Sequence, residues 1–126
     1  MALRIAAAAL ALNRVAFGLG YLAAPEQTAS SWIGRKGKSR QSTVLTRALG
    51  ARDLVLGAGA LVAMGRGDAA EARRWFAAHA VADGADLAAT RAVRDKLPES
   101  GYRFGAAMAA GSTAIAVAAA AALRSG

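Results

Sequence analysis

Four long apolar stretches divide the chain, at about residues 3–24, 44–65, 72–93 and 103–123. As an α-helix, each stretch of about 22 residues spans roughly 32 Å, close to the hydrocarbon thickness of a bilayer. Short runs of alternating Val, Ile, Thr or Tyr bounded by turn residues, which would indicate strands, are nearly absent. The pattern predicts an all-α fold, with residues 1–126 forming a single membrane domain. We expect a four-transmembrane-helix bundle with antiparallel up-down topology.

A soluble four-helix bundle would share these lengths, but each of its helices would need a polar outer face. The last stretch offers almost none, because residues 106–123 include only Ser112 and Thr113 as polar side chains. We interpret the first stretch as a helix rather than a cleavable signal peptide, since Asn13 and Arg14 interrupt its apolar run.

The connections differ in length and in charge. Arg66–Asp68 predicts a tight turn, and residues 96–101, with Pro98 and Gly101, predict a second short connection. Residues 25–43 predict a longer basic loop, with an interfacial turn at 29–34 that places Trp32 at headgroup depth.

The composition and charge of the chain limit the classes of partner that it is expected to bind. The chain is 56% hydrophobic with a formal net charge of +8, and four cations lie together in the long loop: Arg35, Lys36, Lys38 and Arg40. This cluster predicts contact with anionic lipid headgroups, whereas nucleic acid is not expected because aromatic residues are not interleaved with the basic ones. The absence of Cys excludes disulfides and thiolate chemistry. The Ala, Arg and Gly bias is typical of high-GC bacteria.

The distribution of Lys and Arg predicts an orientation. Loops 25–43 and 94–102, with the adjoining Arg103, carry seven basic residues. The opposite side of the predicted bundle carries five: Arg4, Arg66, Arg73, Arg74 and Arg124. The positive-inside rule therefore predicts a multi-pass protein of the cell membrane with both loops in the cytoplasm and both termini outside.

The third stretch carries the most distinctive chemistry. His79, Asp83 and Asp86 follow i, i+4, i+7 spacing, so a helix places them on one face, together with Trp75 and Thr90. Ionisable groups at membrane depth are expensive and normally face protein or water. These three residues are therefore the candidate catalytic groups.

The first two stretches supply matching charges. Asp53 shares a helix face with Gly50 and Gly57, which predicts that it points into a close helix–helix contact. Arg14 and Tyr21 lie on one stripe of the first stretch. We expect a core in which arginines face the two aspartates of the third stretch. The candidate ligand-binding residues are Arg14, Arg52, Asp53 and Tyr21.

The string from Gly50 to Gly57 contains Gly-x-Arg-Asp-(x)3-Gly. It resembles a pattern in a family of uncharacterised bacterial four-helix membrane proteins, where it lies in the second span and an acidic residue follows in the third. Asp83 or Asp86 would correspond to that acid. The resemblance implies a fold and a membrane location, and it implies no activity.

Several functions fit these residues. The preferred one is binding of a small lipophilic ligand or lipid headgroup, or a scaffold role, in which Arg14 and Arg52 hold an anionic or oxygen-rich group. One alternative is an enzyme that uses Asp83 and Asp86 for acid–base hydration, isomerisation or epoxide opening. A second is an oligomeric proton-coupled transporter. The plainest is an ion-pair network that only locks the helices together.

The sequence also bears on metal binding, cofactors and oligomerisation. No metal is expected, because a third ligand at i+7 rarely reaches the same ion and nearby arginines oppose a cation. No cofactor is implied. Small-residue faces would support a homo-oligomer, and the one on the fourth stretch is predicted to be packing surface: Gly105, Ala109, Ser112 and Ala116.

Overall fold

The computed structural model describes residues 1–123, which are helical almost throughout and contain no strand. This confirms the all-α prediction. Two short 3-10 turns, Gly34–Lys38 and Arg94–Lys96, join helices that we number in chain order. The five α-helices are α1 (Ala2–Ala23), α2 (Pro25–Ile33), α3 (Arg40–Gly65), α4 (Ala69–Ala92) and α5 (Glu99–Ala122).

Three of the long helices, α3, α4 and α5, begin three or four residues earlier than predicted. Polar capping residues set the starts of α3 and α4. Ser39 Oγ accepts a hydrogen bond from the Ser42 backbone N–H at 3.1 Å at the start of α3. Asp68 Oδ1 accepts one from the Glu71 N–H at 2.9 Å at the start of α4. Such caps satisfy backbone N–H groups of the first turn, so the helix extends into polar sequence beyond the apolar stretch.

The prediction of a loop over residues 25–43 was wrong. Its first part is the nine-residue helix α2, with Pro25 in the first turn, where its fixed φ and missing N–H suit a helix. Gly34, at φ +69°, ends this helix where an interfacial turn was expected. Trp32 lies against Gly101 and Gly105 of α5. The segment is therefore folded back onto α5.

Helices α1 and α3 pack with their backbones in close contact. A Cβ atom placed on Gly50 would lie 2.7 Å from the Tyr21 Cβ and 2.8 Å from the Gly18 carbonyl oxygen. One placed on Gly57 would lie 2.6 Å from the Ala11 carbonyl oxygen. The two helices run in opposite directions, because the later residue of α3 meets the earlier residue of α1.

The other long helices complete the packing. Helix α4 packs against both α3 and α5, and α5 also contacts α1. An apolar cluster near the first residues of α1 consists almost entirely of small side chains around Phe76: Ala7, Leu10, Ala11, Ala60, Ala116 and Ala119. It occupies the end of the molecule opposite α2.

Large aliphatic and aromatic side chains face outward on the long helices. Ile5 and Leu12 on α1, Val55 on α3, and Phe104 and Val117 on α5 are all more than half exposed. Within residues 1–123, three helices are long and apolar enough to cross a membrane, namely α1, α3 and α5. These helices indicate a membrane protein.

The close contact between α1 and α3 predicts that Gly→Ala substitutions there destabilise the protein more than one at an open position. Gly50→Ala and Gly57→Ala should each lower the free energy of unfolding by about 1–3 kcal/mol, because the added methyl meets backbone atoms that cannot turn aside. Gly111→Ala on α5 is the matched control, since a Cβ there has no neighbour within 4 Å. Thermal melting in detergent measures all three, and equal melting temperatures would contradict the close contact.

Candidate functional site

Five charged side chains from three helices form one continuous chain of ion pairs in the middle of the molecule. Opposite charges alternate along it, and α1, α3 and α4 all contribute. In order, the members are Asp83, Arg14, Asp53, Arg52 and Asp86.

Arg14 joins the three helices. Its residue is only 5% exposed. Its Nη1 donates to Asp53 Oδ1 on α3 at 2.7 Å, and its Nη2 donates to Asp83 Oδ1 on α4. A guanidinium group suits this position because its donors form a rigid fork that can hold two carboxylates at once.

Arg52 joins Asp86 to Asp53, the carboxylate that it shares with Arg14. Its Nη1 and Nη2 donate to the two oxygens of Asp86 at 2.9 and 2.7 Å, which is the two-pronged arrangement that makes such pairs strong. Its Nη2 and Nε also donate to Asp53 Oδ1 at 3.0 and 3.2 Å. One oxygen of Asp53 therefore accepts hydrogen bonds from both arginines.

The sequence predicted part of this pairing, but not the hydrogen bonds that Asp53 accepts from both arginines. Asp53 is 8% exposed and points into the helix contact, and Arg14 and Arg52 face Asp83 and Asp86 as expected. The agreement follows from two constraints. Helical spacing puts Asp83 and Asp86 on one face of α4, and burial requires each charge to find an opposite partner.

His79 lies on the buried face of α4 but outside the ion-pair chain. Its side chain is fully buried and meets Phe76 edge-to-face, with ring centroids 5.3 Å apart. Neither ring nitrogen has a hydrogen-bond partner. The structure therefore does not join His79 to the two aspartates with which it was grouped as a candidate catalytic residue.

Trp75 and Thr90 mark the two ends of the predicted stripe. Thr90 is 2% exposed. Trp75 is half-buried against Gly59 of α3, and its Nε1 lies 3.3 Å from Glu71 Oε1. The stripe is thus the inward face of α4 along most of its length.

A cleft of about 170 Å³ opens beside the ion pairs, towards the end of the molecule that carries α2. Four members of the chain line it: Arg14, Asp53, Asp83 and Asp86. Its apolar wall is rich in aromatic rings and comes from α1, α2, α3 and α5: Phe17, Trp32, Leu49, Phe104 and Met108.

Neutral polar side chains complete the lining. Tyr21, a predicted ligand-binding residue, is among them, but Arg52 does not line the cleft. The others are Asn13, Thr28, Ser31, Thr90 and Ser112.

Two parts of this cleft were not found from the sequence. Helix α2 contributes Thr28 and Ser31, which had been assigned to a loop. The small-residue face of α5 was predicted to be packing surface, and Ala116 is indeed buried, yet Gly105 and Ser112 line the cleft. Small side chains at one-turn spacing leave space wherever no neighbouring helix fills it. This spacing on α5 is the sequence feature that could have indicated the cleft.

A second cleft of about 410 Å³ lies at the opposite end, between the first turns of α1 and the end of α5. Its lining is largely aliphatic, and Arg4 and Asp68 are its charged members. It therefore offers volume with little specific chemistry. Within residues 1–123, no group of three acidic or histidine side chains is arranged to hold a metal ion.

Comparison with protein families, curated proteins and solved structures finds no match to this chain.

The ion-pair chain predicts an order of stability losses. Asp53→Asn should cost about 3 kcal/mol or more, because it leaves two arginines short of a partner in a buried site. Asp83→Asn should follow. Asp86→Asn should cost least, because the side chains of Arg52 and Asp86 remain 33% and 31% exposed.

Thermal melting in detergent measures this series, and Glu99→Gln is the control. Glu99 pairs with Arg103 on the surface of α5 at 2.8 Å, where both side chains are more than half exposed. Its loss should change stability by no more than about 0.5 kcal/mol. If Asp53→Asn melts no lower than this control, the ion-pair chain does not hold the helices together.

Proposed function

We propose that the protein is a four-span membrane bundle that binds a small lipophilic molecule in the cleft beside the ion pairs. The supporting observation is that paired charges and an open cleft occur together. A network serving only to lock helices together would leave no space beside it, whereas this one lines a cleft whose other lining residues include several aromatic side chains.

The surface of α4 supports its insertion as a span in addition to α1, α3 and α5. Its mean hydropathy is low because of its charged residues, but those between Arg74 and Arg91 face inward. The exposed residues over that interval are all apolar: Ala77, Val81, Ala85, Ala88 and Ala89. This band is roughly 24 Å long at 1.5 Å per residue, and the flanking arginines can reach the headgroups from its ends.

The distribution of charge supports the orientation. Gly34 lies beside Pro98, so the basic turn 34–38 and the connection before α5 share one end of the molecule. Arg35, Lys36, Lys38 and Arg40 are exposed there and suit the anionic headgroups of the cytoplasmic leaflet.

Single cysteines test both the spans and the orientation, because the chain has no natural Cys. An impermeant maleimide should label Arg66→Cys in intact cells, and it should label Lys38→Cys and Lys96→Cys only after permeabilisation. All three positions are exposed. If positions 66 and 96 label from the same side, α4 does not cross the membrane. A fully reversed pattern would keep four spans and invert the orientation.

The hydrogen bonds that the carboxylates accept from arginines favour binding over acid–base catalysis. Asp53, Asp83 and Asp86 each accept at least one hydrogen bond from an arginine. These ion pairs hold the carboxylates in fixed positions, whereas a general acid or base must be free to exchange a proton with its substrate. The same pairs give the cleft a rigid polar wall, which is the property a binding site needs.

Filling the cleft tests the binding function. Trp75→Phe leaves Trp32, in the cleft wall, as the sole tryptophan reporter. In phosphatidylcholine nanodiscs, at least one of octanol, octylamine and octanoate should change Trp32 emission saturably. Ser112→Leu should weaken that binding by about tenfold or more, since losing about 1.4 kcal/mol has this effect.

Gly111→Leu is the matched control for Ser112→Leu. It adds a leucine side chain one residue earlier on α5, where no atom lies within 4 Å of a new Cβ. It should leave binding unchanged. The proposal fails if no probe gives a saturable change, or if both leucine variants weaken binding equally.

A further inference from the structure

The ion-pair chain ends on a carboxylate at both sides. It contains three aspartates and two arginines, so its formal charge is −1. His79 does not offset this charge through a hydrogen bond, because neither of its ring nitrogens has a partner. At membrane depth an unbalanced charge is costly, so the arrangement favours one more positive group.

The place for that positive group is the α4 side of the cleft. Asp83 and Asp86, the two ends of the chain, are three residues apart on α4, and both line the cleft. Asp83 is 5% exposed, and its Oδ2 has no hydrogen-bond partner. A buried acceptor without a partner is unusual, and a donor bound between the two carboxylates would satisfy it.

The arginines are poorly placed to bind an anion. The terminal nitrogens of Arg14 already donate to Asp53 and Asp83, and those of Arg52 donate to Asp53 and Asp86. Arg14 Nε has no partner, but an anion held by two nitrogens of either arginine would still have to compete with a carboxylate of the ion-pair chain. The role expected for Arg14 and Arg52 from the sequence, that of holding an anionic group, is therefore not the one this geometry favours.

The aromatic side chains that line the cleft favour an organic cation. Phe17, Tyr21, Trp32 and Phe104 all line the cleft. Aromatic faces attract ammonium groups, and they also accommodate the alkyl carbons attached to them. An inorganic cation would gain little from this wall, and it would find two carboxylates rather than a full set of ligands.

Building on the proposed binding function, we propose that the cleft takes a lipophilic amine. Its ammonium group lies between Asp83 and Asp86, and its hydrocarbon part lies along the aromatic wall. The ammonium donates to the free Oδ2 of Asp83 and neutralises the excess negative charge of the ion-pair chain. Primary and secondary amines fit this description, because they carry both a positive charge and hydrogen-bond donors.

Octylamine, octanol and octanoate test this directly, because they share one chain and differ only in the polar group. Their affinities are measured by Trp32 emission in the Trp75→Phe protein, per mole of probe partitioned into the nanodisc. Octylamine should bind at least about tenfold more tightly than either other probe, since a desolvated ammonium–aromatic contact and an ion pair each exceed the corresponding free energy.

Removing each end carboxylate should remove the preference. Asp83→Asn and Asp86→Asn should each reduce the advantage of octylamine over octanol to about threefold or less. Asp95→Asn, on the exposed turn between α4 and α5, is the control and should keep the full advantage. If Asp83→Asn does not fold, Asp86→Asn and the wild-type order of affinities still decide the question.

The outcomes separate this inference from the binding function. If octanol or octanoate binds most tightly and Ser112→Leu abolishes that binding, the cleft is a ligand site but not an amine site. The amine proposal is also overturned if both asparagine variants keep the full preference for octylamine. If no probe binds saturably, the binding function itself fails.

Discussion

The structure depends on the requirement that charges removed from water be paired. Arg14 lies in the middle of an apolar helix, so it can be buried only if carboxylates reach it from other helices. It satisfies this requirement by holding Asp53 of α3 and Asp83 of α4 together. The close glycine contact between α1 and α3 serves the same requirement, because it brings the Arg14 side chain within hydrogen-bond distance of Asp53.

This requirement also explains the unusual surface of α4. The helix is too polar to count among the three candidate spans, yet its charges between Arg74 and Arg91 are turned towards α1 and α3. What remains outside is alanine and valine. In the proposed four-span arrangement there is little hydrophobic force between helices within the bilayer, so small-residue contacts and interhelical hydrogen bonds hold α4 in place.

Most of the fold could be predicted from the sequence, since four apolar stretches of similar length leave few alternatives. The pairing of the two arginines with Asp83 and Asp86 could also be predicted, because the spacing of these aspartates and the need of buried charges for opposite partners constrain it. The helix starts could not, because Ser39 and Asp68 extend helices into polar sequence by capping. Nor could the cleft wall of α2, since Trp32 reaches α5 only through tertiary packing.

The position of the cleft relative to the ion pairs argues that stability alone does not account for this polar core. On one side, alanines and Phe76 fill the space beside the charges. On the other side, where α5 carries Ser112, the space is left open although a larger apolar residue would fill it. The charges facing that space are also unbalanced, with a carboxylate at each end of the chain. A purely structural network gains from both closure and neutrality, and a binding site gains from neither until its ligand supplies them.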